Sequence, residues 1–154
     1  MSELDDFRSG TLARFVEAER ALHDGDPEPR LAMWSDHDPV TLFGAWGPCK
    51  SGWEQVSPVF RWLASRLSGV SDYRLDLVAA GLSGDLAYTV GFERSMLSID
   101  GGPAQENVLR VTHVFRRENG EWKIVHRHGD FPPPDQSPPD QSPPGHHRPD
   151  PPGR

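Results

Sequence analysis

The chain has 154 residues, a formal net charge of −7 and one cysteine, Cys49. That length fits one domain. A lone cysteine excludes an intrachain disulfide and a multi-cysteine metal site, and the acidic balance disfavours nucleic acid, whose phosphates need clustered Lys and Arg. No run of about 18 apolar residues occurs, which argues against a membrane span. Met1-Ser2-Glu3-Leu4 lacks the basic-then-apolar order of a secretory signal. With a cysteine usage suited to a reducing compartment, these features predict a cytoplasmic protein. Cys49 itself reads as a small, buried or half-buried apolar residue.

Residues 4–24 carry Leu12, Phe15, Val16, Glu19 and Leu22 at helical spacing. Gly25 and Pro27 then end the helix. A short helix is expected from Pro29 to Trp34, a turn over Asp36-His37-Asp38-Pro39, and a short strand over Val40-Thr41-Leu42-Phe43. Ser51-Gly52-Trp53-Glu54 has the form of a capping box. Behind it, Trp53, Val56, Phe60, Leu63 and Leu67 form one stripe of a third helix, with a kink or break expected near Ser57 because Pro58 lacks a backbone N–H.

After Gly69 the period changes to two. Tyr73 to Leu82, Leu86 to Leu97, Gln105 to Arg117 and Glu121 to Asp130 read as strands. Ser83-Gly84-Asp85, Asp100-Gly101-Gly102-Pro103 and Glu118-Asn119-Gly120 join them, the last a strong hairpin signal. Helices followed by a meander predict an α+β fold. Ten of the 16 prolines lie in residues 132–154, where Pro133-Pro134-Asp135-Gln136-Ser137 repeats as Pro138-Pro139-Asp140-Gln141-Ser142. This divides the chain into a domain over 1–131 and a disordered, polyproline-like tail over 132–154.

Three segments carry a family resemblance. They are the helix ending Ala21-Leu22-His23-Asp24-Gly25-Asp26-Pro27 with the short helix through Leu31 and Trp34, the opening Lys50-Ser51-Gly52-Trp53-Glu54, and the pair Arg110-Val111-Thr112-His113-Val114-Phe115 and Gly120-Glu121-Trp122-Lys123-Ile124-Val125-His126-Arg127-His128. In this order they resemble the SnoaL-like branch of the nuclear-transport-factor-2-like, or ketosteroid-isomerase-like, superfamily. The resemblance implies a cone-shaped curved antiparallel sheet packed by three N-terminal helices (a cystatin-like α+β barrel), a pocket at its wide end and a homodimer through the sheet. It implies no single chemistry. A ketosteroid isomerase would carry a carboxylate after the first strand, where this chain has Phe43-Gly44-Ala45-Trp46, and a tyrosine on the first helix, which has none.

The candidate chemistry centres on His126-Arg127-His128-Gly129-Asp130. On a regular strand His126, His128 and Asp130 share a face with Trp122 and Ile124, and that apolar company points the face inward. Two imidazoles beside a carboxylate suit acid–base catalysis near neutral pH. A facial metal site is also conceivable from this spacing, but the longer His-x-His-x-Asp-His signature is absent, and no metal or cofactor is expected. The bland alternative is that the histidines satisfy buried partners. On the neighbouring strand, Arg110 and Thr112 match recurrent family positions; Arg110 is expected to pair with Glu93 or to anchor a ligand oxygen, while His113 reads as a satisfied core residue. Trp34 and Trp53, expected to flank the pocket mouth, and Phe43 and Phe60 complete the ligand-binding set. The expected function is a pocket for a small hydrophobic molecule: a cofactor-independent isomerase, cyclase or hydratase acting on a small carbonyl compound, or else a non-catalytic ligand-binding or dimerisation module.

Overall fold

The computed structural model describes residues 2–134; the repeat-bearing tail from residue 135 onward lies outside the described residues. The N-terminal helical stretch is continuous: α1 (Glu3–Asp6), a π-helical turn (Phe7–Thr11) and α2 (Leu12–His23). Phe7, Leu12, Phe15 and Leu22 form its buried stripe. Gly25 ends it at φ 95°, the left-handed region where a side chain is strained. Helix α3 (Glu28–Met33) leads into β1 (Thr41–Phe43), a tight loop over residues 44–48 and β2 (Cys49–Ser51). The second of these strands was not legible in the sequence, and Cys49 on it is exposed rather than buried.

Helix α4 (Trp53–Arg66) differs from expectation twice. Ser51 belongs to β2 and no side chain of the helix's own N-cap residue, Gly52, can cap it; instead Asp38 Oδ1 accepts from the Trp53 backbone N–H at 2.8 Å. The helix also runs unbroken through Pro58. Val56, Phe60 and Ala64 face the core, and the stripe ends there because Leu67 already opens β3.

The sheet has six strands in the order β2-β1-β6-β5-β4-β3, with β3 (Leu67–Ser83), β4 (Leu86–Ile99), β5 (Gln105–Glu118) and β6 (Glu121–Asp130) forming the antiparallel meander. Only β1 runs parallel, alongside β6, so the sheet is mixed, curved and open rather than purely antiparallel. Asn119 and Gly120, at φ 51° and 79°, make the two-residue turn between β5 and β6. The fold is α+β, with the helices covering one face of the sheet. Buried side chains alternate along β4 (Ala87, Thr89, Glu93, Ser95, Leu97) and β5 (Leu109, Val111, His113, Phe115), marking the inner face. No helix among the described residues is long and apolar enough to cross a membrane.

One irregularity decides which side chains enter the interior. Phe115 pairs with Ile124, yet Val114 pairs with His126, so Val125 is an extra residue in β6. Such a bulge reverses the inside–outside alternation beyond it. Ile124 is inside; two places further on, His126 is outside and Arg127 is inside. The register agrees, because the inner-face residues His113 and Val111 lie opposite Arg127 and Gly129.

Candidate functional site

The bulge overturns the expected facing of the last strand. His126, His128 and Asp130 do not share a face with Ile124; they lie on the outer face. There His126 and His128 meet the edge of the Phe43 ring at 5.7 and 5.5 Å, and Thr41 Oγ1 lies 2.7 Å from His126 Nδ1. Phe43 is 42% exposed. Arg110 does not pair with Glu93: it lies opposite Phe92 and donates to both Asp130 oxygens at 2.6 Å. Arg110, Thr112, His128 and Asp130 do come together, with Val78, Val90 and Phe92, around an open groove of about 440 Å³ on the outer face. Trp34 and Phe60 are core residues in contact with each other, and Trp53 packs against that core; none lines the interior cavity.

The interior holds a different set. Glu93, 2% exposed, accepts two hydrogen bonds from Arg127, each 2.8 Å long. Glu19 accepts from Arg30 Nε at 2.7 Å and from a second guanidinium nitrogen, and it lies 3.5 Å from Arg127. These two forks join the first long helix, α3, β4 and β6. The cluster is electrically neutral: two carboxylates, two guanidiniums. Burial alone would push the Glu93 carboxyl up, but the Arg127 charge and hydrogen bonds more than reverse this and hold it far below the carboxylate range.

Two histidines and a tyrosine complete the cluster. His23, 4% exposed, has Nδ1 2.6 Å from the Glu19 carbonyl oxygen. A carbonyl only accepts, so Nδ1 carries the proton and the lone pair of the neutral ring sits on Nε2. Burial lowers the His23 pKa, against the opposing pull of Glu19. His113 Nε2 accepts from Arg127 at 3.1 Å, since guanidinium nitrogens only donate, and burial with the Arg127 charge pushes its pKa well down. His113 is thus a core residue, but its Nδ1 has no partner among the described residues. The hydroxyl of Tyr73, whose ring centroid lies 5.0 Å from that of His23, has none either. Burial, with the nearby Glu93 and Glu19 charges, keeps that phenol protonated.

His23, Arg30 and Arg127 line a cavity of about 60 Å³, together with Asn107 and an apolar wall that includes Leu42, Trp46, Trp62 and Leu63. Trp62 is 42% exposed, so that wall reaches solvent. Trp46, on the β1–β2 loop, packs edge-on against Trp62, and the Arg66 guanidinium lies over both rings at 4.6 and 5.2 Å. At about 60 Å³ the cavity is far below the several hundred Å³ of a drug-sized ligand site, so its polar groups can receive only a polar head of a few heavy atoms. Sequence reasoning missed His23, Arg30, Arg127, Tyr73, Trp46 and Trp62 as site residues. Glu19, a carboxylate set in an apolar helical stripe, was the available signal.

Residues 12–134 match the pattern of the SnoaL-like domain. The F-box protein SKIP8 of Arabidopsis thaliana is 28% identical over 107 residues, 70% of this chain; the chain spans only 43% of that protein's length. Among solved structures, a candidate dehydratase of the NTF2-like family from Streptomyces avermitilis superposes with a TM-score of 0.68 at 23% identity, covering 84% of this chain and 97% of its own. The association domain of CaMKII from C. elegans gives 0.59 at 15% identity, covering 84% and 100%. At these identities the two structures speak for the fold alone.

Proposed function

The chain belongs to the SnoaL-like domain family, and within it we propose a small-molecule pocket protein whose interior cavity carries out cofactor-independent acid–base chemistry on a small, partly apolar carbonyl compound. The observation that carries this reading is the meeting of His23, Arg30 and Arg127 in one cavity with an indole-bearing wall. His23 supplies a neutral imidazole whose Nε2 can take a proton. The two guanidiniums supply fixed donors for an oxygen on which negative charge develops. Removal of a proton next to that oxygen is the step shared by isomerisation and by the loss or addition of water. Likeness to a candidate dehydratase accords with it.

Native mass spectrometry of the protein purified from its own host tests the pocket. A retained small molecule that His23→Gln still binds but no longer converts is the expected result. A retained molecule turned over equally by wild type and His23→Gln removes the histidine's role; no retained molecule and no saturable ligand in a thermal-shift screen of small carbonyl compounds removes the pocket reading.

A second reading concerns the outer face. The groove holding Arg110, Thr112, His128 and Asp130 lies on the face that also exposes Val78 and Tyr88, at 66% and 46%. An apolar, partly charged sheet face of this kind supports a homodimer through the sheet, and in that reading His126, His128 and Asp130 serve the interface or a ligand held there. The tail boundary at residue 131, just past the end of β6, and a cytoplasmic location for a chain with one exposed cysteine belong to the same proposal.

A further inference from the structure

Hydrogen-bond capacity around the cavity is unevenly used. Both Glu19 oxygens are engaged by Arg30 and both Glu93 oxygens by Arg127. The guanidiniums, with five N–H hydrogens each, are not exhausted. Arg30 engages Glu19 through Nε and Nη2, which leaves Nη1 without a partner among the described residues. Arg127 engages Glu93 and His113 through its terminal nitrogens, which leaves Nε. In the same lining, His23 offers Nε2 as an acceptor, because Nδ1 is held by the Glu19 carbonyl, and Asn107 adds an amide that can accept or donate. The cluster therefore presents surplus donors and a lone pair, but no surplus charge.

We infer that the cavity selects an electrically neutral hydroxycarbonyl molecule, its carbonyl oxygen received by Arg30 and Arg127 and its hydroxyl donating to His23, and that it discriminates against the matching carboxylate. This rests on the pocket reading above and narrows its substrate class. A carboxylate would add a net negative charge to a buried, already balanced set. Desolvating it costs several kcal/mol unless a proton enters with it. The donors alone would not repay that, since each guanidinium's charge is already opposed by a bidentate partner. Size sets a limit: about 60 Å³ is room for roughly two to four waters, which confines the fit to the hydroxycarbonyl head itself, in a molecule of two or three carbons or at the end of a longer one.

Three isosteres test this without any substitution. Hydroxyacetone, glycolamide and glycolate differ only in a methyl, an amide nitrogen or a charged oxygen on the same hydroxycarbonyl frame. Titration into the ¹⁵N-labelled full chain at pH 7.5, followed by NMR at the His23 ring and the Trp46 and Trp62 indoles, should show saturable shifts for hydroxyacetone and glycolamide. Glycolate should bind at least tenfold more weakly. Leu63→Trp, which fills the cavity without touching its charges, should abolish the shifts. Glycolate binding as tightly as the neutral pair at these resonances overturns the inference and leaves the pocket reading standing. Shifts that survive in a folded Leu63→Trp protein, or no response to any of the three, also overturn it, while the retained-molecule experiment decides the pocket separately.

Discussion

Replacing Arg127 by Met removes both hydrogen bonds to Glu93 and the nearest positive charge to a carboxylate that is 2% exposed. Breaking a buried pair from one side typically costs about 3–5 kcal/mol. The structure bounds the figure independently. An unpaired buried carboxylate escapes by taking up a proton, and at pH 7, with an ordinary glutamate near 4.3, that escape costs about 3.7 kcal/mol. We expect a loss of about 4 kcal/mol at pH 7, a large share of a domain's usual 5–15 kcal/mol. The sign of its pH dependence follows. In wild type the Glu93 pKa is depressed, so its contribution is full above the unfolded value and is lost on acidification. In Arg127→Met the folded pKa is raised, so the variant gains on the unfolded chain as pH falls. The gap between the two proteins should narrow by about 1.4 kcal/mol per pH unit between pH 7 and 5. Urea unfolding followed by tryptophan fluorescence measures it, with Glu93→Gln/Arg127→Met completing a double-mutant cycle whose coupling energy should exceed about 2 kcal/mol. A single-variant loss below 1 kcal/mol, or a gap that does not change with pH, refutes the account of this pair.

Two further outcomes follow from the same cluster. The pKa values of His23 and His113 are lowered chiefly by burial, so the unfolded chain takes up their protons first. Stability should be full above about pH 6.5 and fall below it, by up to about 1.4 kcal/mol per pH unit for each histidine, with His126 adding in the same direction. Urea midpoints between pH 8 and 5 check this; a His113→Gln protein with an undiminished slope would count against it. Tyr73→Phe removes a buried hydroxyl that has no partner among the described residues. It should be neutral or stabilising by about 1 kcal/mol, and a loss above 1 kcal/mol would mean that the hydroxyl is satisfied after all.

The helices and the meander were legible because burial writes a period into the chain. Phe15 and Leu22, or Val111, His113 and Phe115, recur at the spacing their element requires, and Asn119-Gly120 names its own turn. What stayed hidden was set by partners rather than by local pattern. Asp38 caps α4 from fifteen residues away; β2 exists because Cys49 and Ser51 find Phe43 and Thr41. The opening of β3 at Leu67 is fixed by pairing with Ile99 across the sheet. The facing of the last strand was misread for a single reason. Alternation from Trp122 assigns His126 and His128 to the interior, and one extra residue reverses it. Consecutive apolar residues Ile124-Val125 were the trace of that bulge, a break in period two that is easily taken for a doubly buried stretch.

The bulge changes more than a label. Without Val125 in excess, the interior of β6 would receive imidazoles, and Glu93 and Glu19 would face each other with Arg30 as their only nearby cation. With it, Arg127 enters at the point where two carboxylates from different elements converge, and the count of charges closes at zero. Four buried charges are a poor device for stability, since well-packed apolar residues of similar volume commonly do as well or better. Yet here they stand against a cavity, and among the described residues each guanidinium keeps a donor without a partner and His23 a lone pair without one. That is the arrangement expected where local rules of burial are set aside for a ligand. The cluster's cost in stability and half of its donor surplus have the same origin: Arg127, placed inside by a one-residue shift of register to join the Arg30 that α3 already supplies.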